Sequence, residues 1–337
     1  MAITKNRFGN LIYLPKLFMS LWSSIKKQKK FLKTTIVIDI EKSKLNNDNT
    51  LTDKDYSKMT GYYGFAVPAL LGEGFCILRG RDMSEKERYG ITYLGALTGL
   101  FDDFFDDHNL SKKHILEMIN KPDEELAQNS NQKLFIKFCQ IALKNSEDAD
   151  QVKNIAFKVY DAQVASHKQL LTETTEEEIA KITMDKGGLS LLFYRSVFED
   201  DISENEENMI LCLGGIGQLE NDIFDIYKDY QHGIRTLATL TTKINELRQT
   251  YISLMEETFK LVHQTDYNPK NKRKFLRFIS LIICRGFVCF DFLEKNELRT
   301  NSKFSLNQYE KKDLICDMGK LSNNIKLLKY YSKTSIY

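Results

Sequence analysis

Proline is scarce, with four in 337 residues against an average usage of about 5%. Little interrupts the backbone, so long helices are easy to place. Runs of short β-branched segments joined by Asn-Gly turns are also missing, which argues against an all-β chain. None of the six cysteines (Cys76, Cys139, Cys212, Cys284, Cys289 and Cys316) stands in a C-x-x-C pair. Zinc-ribbon and thioredoxin-type chemistry therefore lack their ligands, and reduced, mostly buried thiols in a cytoplasmic protein are the expectation. Charge of one sign is lacking too: 48 basic residues face 46 acidic ones, a net +2. No global field points to nucleic acid, and any charge-driven function has to be local.

What is present is enough apolar content, 42%, to bury a sizeable core. The patterning predicts an all-α chain, with helices near 60–80, 84–108, 130–145, 148–171, 176–200, 204–230, 236–264, 270–297 and 306–331. Pro68 marks a kink. Ser84 with Glu87 three residues on forms a capping box, and Ser111 opens the segment after the 84–108 helix. The polar stretch 39–58 reads as a loop. The organisation expected is an N-terminal segment over 1–55, a helix plus that loop, followed by one helical domain over 56–337 without repeats or low-complexity linkers. The first segment, "NRFGNLIYLPKLFMSLWSSIKKQKKFLK", is basic and apolar, is interrupted by Lys16, and shows no small-residue cleavage site. It is too short and too charged to span a bilayer. It reads as a helix packed on the core, with weak association with a membrane surface as the alternative.

The segment "LTGLFDDFFDDHNL", 97–110, places Asp102, Asp103, Asp106 and Asp107 among Phe101, Phe104 and Phe105. On a helix Asp102 faces Asp106, and Asp103 faces Asp107. Two carboxylates about 6 Å apart repel by roughly 0.7 kcal/mol in water and roughly 3 at an effective dielectric of 20. The end of a helix also disfavours anions. A divalent cation would remove these costs together. Calcium loops need a Gly at position six and a Glu at twelve, which are missing, whereas magnesium takes one or two carboxylates and completes its shell with water and phosphate oxygens. Di-iron sites need Glu-x-x-His, and none of the five histidines has a Glu three residues before it. A second ligand set appears in "GGIGQLENDIFDIYKDYQHGIRTL", 214–237. There Asn221, Asp225 and Asp229 recur every four residues and drift little around a helix. The two acidic helices would face each other across a bundle.

Together these segments resemble the class I isoprenoid (terpene) synthase superfamily, both bacterial terpene synthases and trans-prenyl diphosphate synthases. Asp102, Asp103 and Asp106 match its D-D-x-x-D pattern. Asn221, Asp225 and Asp229 resemble the second metal motif of terpene synthases, with Asp in place of the usual Ser and Glu. Gln218 before "NDIFD", "GIRTL" at 233–237 and "MDKGGLSLLF" at 184–193 are similar to elements of the prenyl diphosphate synthases. The matches cover roughly 100–240. The resemblance implies a single-domain helical bundle with a central cavity. It implies three magnesium ions, with manganese as a substitute, held by Asp102, Asp103, Asp106, Asp107, Asn221, Asp225 and Asp229. It implies that a prenyl diphosphate ionises by metal-assisted loss of pyrophosphate. Lys186, Arg195 and Arg235 would meet the diphosphate. Phe101, Phe105, Phe193 and Phe224, with Phe104 and Tyr227, would line the cavity and face a carbocation.

Within the superfamily, the Gly-Gly-Lys-x-Arg and Arg-Arg-Gly signatures of chain elongation are not found, and "FFDD" lacks the first Asp of D-x-D-D. The reading is a magnesium-dependent terpene synthase or cyclase, a carbon–oxygen lyase, acting on a small-molecule prenyl diphosphate. Chain-elongating and head-to-head prenyltransferases follow as alternatives. A non-catalytic helical module binding diphosphate or divalent cations is the alternative outside enzymology. A homodimer is expected by analogy alone.

Overall fold

The structure, a computed structural model, describes residues 9–106, 110–301 and 303–335, with the side chains of Asp102, Asp103, Phe105 and Asp106 outside the description. Among the described residues there is no strand; the chain is an all-helical bundle. In chain order the helices are α1 (Gly9–Phe31), α2 (Val37–Leu45), α3 (Asp53–Ser57), α4 (Gly64–Ala66), α5 (Glu73–Arg79), α6 (Glu85–Asp106), α7 (Lys112–Asn120), α8 (Ser130–Lys144) and α9 (Ala149–Ser166). They continue as α10 (Glu176–Arg195), α11 (Glu204–Phe224), α12 (Ile226–Gln231), α13 (Leu237–Leu240), α14 (Ile244–Gln264), α15 (Pro269–Arg299), α16 (Lys311–Leu314) and α17 (Leu321–Lys333). They form two compact units. The amino-terminal unit is Lys16–Tyr160 with Leu192–Ile202; the carboxy-terminal unit is Met1–Pro15, Asp161–Leu191 and Ser203–Tyr337.

In the amino-terminal unit α6 packs along α8. Its N-terminus is the expected capping box: the Glu87 amide donates to Ser84 Oγ at 3.2 Å, and the Ser84 amide donates to a Glu87 carboxylate oxygen at 2.8 Å. Both orphan donors of the first turn are satisfied locally. Ser111 caps α7 by a single bond, its Oγ accepting from the His114 amide.

Helices α3, α4 and α5 run on as one rod through widened turns at Lys58–Tyr63 and Val67–Gly72. Pro68 lies at the start of the second widened stretch, where a missing amide donor is tolerated better than in a regular turn. By length and apolarity this rod, Asp53–Arg79, would suffice to cross a membrane, but half of its most apolar window is buried. Its inner face binds α1 through Gln28 Nε2, which donates to the Gly64 carbonyl at 2.8 Å; Gln28 also joins α6, donating to Thr92 Oγ1 at 3.0 Å and accepting from Arg88 at 2.9 Å. Gln28 is fully buried, and three elements share its hydrogen bonds.

Where the chain leaves α10, buried Arg79 pairs with buried Glu87 at 2.5 Å. Arg81 reaches Glu199 and Asp200, each at 2.8 Å. Arg195, also fully buried, donates to the Asp200 carbonyl at 3.3 Å.

In the carboxy-terminal unit α11 packs on α14 and α15, and α15 on α17. Arg248 on α14 holds Asp291 on α15 at 2.8 Å, and Tyr330 on α17 donates to the same carboxylate at 2.6 Å. All six cysteines are buried and none forms a disulfide.

Five stretches differ from the sequence-based expectation, one of them Asp53–Ser57, helical behind the Thr52–Asp55 capping box where a loop is expected. Residues 39–45 are helical within α2, because Ile36 and Ile40, four apart, are both buried on one face. The 236–264 helix is split between α13 and α14, where the Lys243 amide bonds Thr241 Oγ1 instead of a helical carbonyl. The 204–230 helix breaks at Asp225. The stretch 306–331 divides at an Asp317–Gly319 turn, with the Gly319 amide on Asp317 Oδ1 at 2.8 Å.

Candidate functional site

Helices α10 and α11 cross backbone to backbone. A Cβ on Gly187 would lie 2.1 Å from the Gly214 carbonyl oxygen, and one on Gly214 would lie 2.3 Å from the Gly187 carbonyl oxygen. Only glycine fits at this contact. The Gly187–Gly188 pair thus serves a helix crossing, and α10 continues through it unbroken. The crossing sets Thr183 and Lys186 of α10 against Gln218 and Asp222 of α11.

Asp222, which the sequence reading passed over, is a buried carboxyl of the acidic segment. It accepts from Gln218 Nε2 at 2.8 Å and from Thr183 Oγ1 at 3.4 Å. Burial pushes its carboxyl up to about 7, the charge of Asp229 adds to the rise, and Lys186 opposes it. Asp229, also buried, is pushed up to about 6 by burial and by the charge of Asp225, with Lys228, Lys186 and His232 pulling it back. On the other side of α11, Glu220 is buried and raised to about 7 by desolvation. Tyr251 donates to it at 3.2 Å, and Arg285 stands 3.5 Å away. The unit therefore keeps three carboxyls that titrate near neutrality.

Asn221, Asp225 and Asp229 do not form one chelating stripe. Helix α11 ends at Phe224, and Asp225 is at once its C-cap and the N-cap of α12 (φ −93°, ψ 8°). Asn221 is exposed, Asp225 half-buried and Asp229 buried, and Lys228 lies 3.7 Å from the Asp225 carboxylate. Arg235 is taken up by a neighbouring turn. One guanidinium nitrogen donates to the carbonyls of Leu171, Thr172 and Thr174 at 2.8, 2.6 and 2.8 Å. Phe224 lies under the guanidinium of Arg285, 5.3 Å away, and Tyr227 lies 5.8 Å from the Lys311 ammonium.

In the amino-terminal unit Phe101 and Phe193 border a pocket lined also by Leu97, Phe135, Ala156 and Val159. Phe101 stacks on Phe135 at 5.9 Å, and Phe104 meets the same ring edge-on at 4.9 Å. Offset and edge-on aromatic pairs of this kind are favourable packings. The wall is apolar apart from Lys153, whose ammonium is 3.2 Å from Asp150. Asp102, Asp103 and Asp106 follow Phe101 on the last turns of α6. Their side chains, that of Phe105 and the whole of Asp107 lie outside the described residues.

Among the described residues no group of three or more His, Cys, Asp or Glu side chains is placed to hold a metal ion. This corrects the expectation of a magnesium or manganese centre, and the break at Asp225 is its physical reason on the α11 side. The readings built on that centre fall with it: the magnesium-dependent terpene synthase or cyclase, the lyase and prenyltransferase assignments, and the divalent-cation module. Compared with family models, with curated proteins and with solved structures, the chain finds no match in any of the three.

Proposed function

We propose that the amino-terminal unit binds the apolar end of a small chain-like molecule, and that it does so on a helical bundle of the class I isoprenoid-synthase kind. The observation that carries the ligand reading is the pocket between α6, α7, α8 and α9, whose wall is hydrocarbon and aromatic except for Cys139 and Lys153. Ligand sites are typically apolar hollows with few polar groups, and an apolar hollow of this kind stays dry. Its volume, about 30 Å³, admits the tip of a chain and not a whole molecule, since drug-sized sites start at about 300 Å³. The kinship in fold is supported by the all-helical architecture, and no catalysis is claimed with it.

Displacement of a fluorescent polyene fatty acid by farnesol or palmitate tests the binding. Ala156→Leu fills the pocket and should weaken binding at least tenfold. Leu97→Ala enlarges it and should favour branched chains, with thermal unfolding measured in parallel. Saturable binding that neither variant changes would refute the proposal, as would no saturable binding at all.

A further inference from the structure

The part of α1 that belongs to the amino-terminal unit is divided by burial into two faces. Leu17, Ser24 and Gln28 point inward. The opposite face carries Phe18, Met19 and Trp22, which are 53%, 73% and 61% exposed. Single exposed apolar residues are ordinary on a protein surface, but a contiguous patch of large ones marks a contact site. Three large side chains within five residues of one helix make such a patch.

Beyond Trp22 the outward face changes character, with Lys26, Lys27, Lys29 and Lys30 all exposed. Between residues 9 and 38 the chain has six lysines and no acidic residue, although the whole protein is nearly neutral. Lys27 has a distant surface partner, Asp82 at 3.7 Å. Lys26 instead lies over the Trp22 ring, 3.5 Å from its centroid. The helix thus offers an apolar half followed by a basic half on one side.

We infer that this face of α1 docks on an anionic lipid surface, with Phe18, Met19 and Trp22 entering the headgroup boundary and the lysines beyond them meeting the lipid charges. Charge complementarity selects this occupant. A lysine-rich strip is a poor self-complement, because a second copy would bring like charges together, whereas each lysine near an anionic leaflet adds attraction. An apolar and basic helix face is the form in which helices lie in a bilayer interface. The inference does not depend on the ligand reading.

Trp22 is the sole tryptophan of the chain, so its fluorescence reports the contact directly. Titrating the full-length protein with phosphatidylcholine vesicles containing phosphatidylglycerol should shift Trp22 emission to the blue, with quenching by brominated acyl chains. Vesicles of phosphatidylcholine alone should give little shift. Lys26→Glu with Lys30→Glu should weaken partition by at least about tenfold, at roughly fivefold or more per charge. Phe18→Ser with Met19→Ser should abolish the quenching by brominated chains while leaving a salt-sensitive adhesion. Both pairs are exposed, so the fold is spared. An unchanged Trp22 spectrum would overturn the inference, and so would equal partition of the lysine variant. A blue shift that grows with protein concentration in the absence of lipid would overturn it in favour of self-association.

Discussion

Replacing Asp222 by Asn should stabilise the protein above neutral pH. The carboxyl is buried and moved from 3.8 to about 7, so the folded state holds its proton more tightly than the unfolded chain does. The sign follows from linkage: the contribution is fully present below about pH 4 and is lost as pH rises through about 7. At 1.36 kcal/mol per tenfold, the penalty on the charged form reaches about 4 kcal/mol by pH 8. About 2–3 of that accrues between pH 5 and pH 8. Coupling to Asp229 and local relaxation reduce these figures. Asn keeps the contacts, because its oxygen can accept from Gln218 Nε2 and its amide can donate to Thr183 Oγ1. Urea unfolding at pH 5, 7 and 8 should therefore show the stability gap between variant and wild type widening by about 2 kcal/mol from pH 5 to pH 8, with the flatter dependence in the variant. A variant less stable than wild type at pH 8 would refute the reasoning, since it would mean that Asp222 is held ionised by a partner stronger than Lys186.

Gly187→Ala should destabilise by about 1–3 kcal/mol or more in urea unfolding, because its Cβ would meet the Gly214 carbonyl at 2.1 Å. Gly217→Ala, with nothing within 4 Å of the added atom, should instead gain a few tenths to about 1 kcal/mol from helix propensity. Arg79→Met should cost about 1.5–3 kcal/mol by removing the closest partner of buried Glu87, which keeps Arg81 at 3.4 Å, read as a lower midpoint at pH 7. Arg235→Ala should cost about 1–3 kcal/mol through the carbonyls it leaves unpaired, again by urea unfolding.

Much of the helical layout was legible because its signals are local. Ser84 with Glu87, and Ser111 before α7, announce helix starts within four residues. The breaks were harder to see. Asp225 and Thr241 lie inside periodic stretches, and periodicity does not reveal a break there; Thr241 competes with the helix by bonding the Lys243 backbone, whereas Asp225 makes no side-chain cap bond. The 39–45 helix looks polar from outside, and its inward residues are only Ile36 and Ile40. Asp222 carried a readable sign, since Leu219, Ile223 and Ile226 place it on an apolar stripe, but the adjacent Asn221 drew the motif register away from it. The Gly187–Gly214 contact joins residues far apart in sequence, and no local pattern pairs them.

The measurement closest to the central claim is photocrosslinking with a chain alcohol that carries a diazirine at its apolar end, followed by peptide mapping. The account predicts saturable labelling within 94–101, 135–143 and 152–159 or at Phe193, competed by unlabelled farnesol and lost in Ala156→Leu. Saturable labelling concentrated elsewhere, or none that competitor removes, would contradict it.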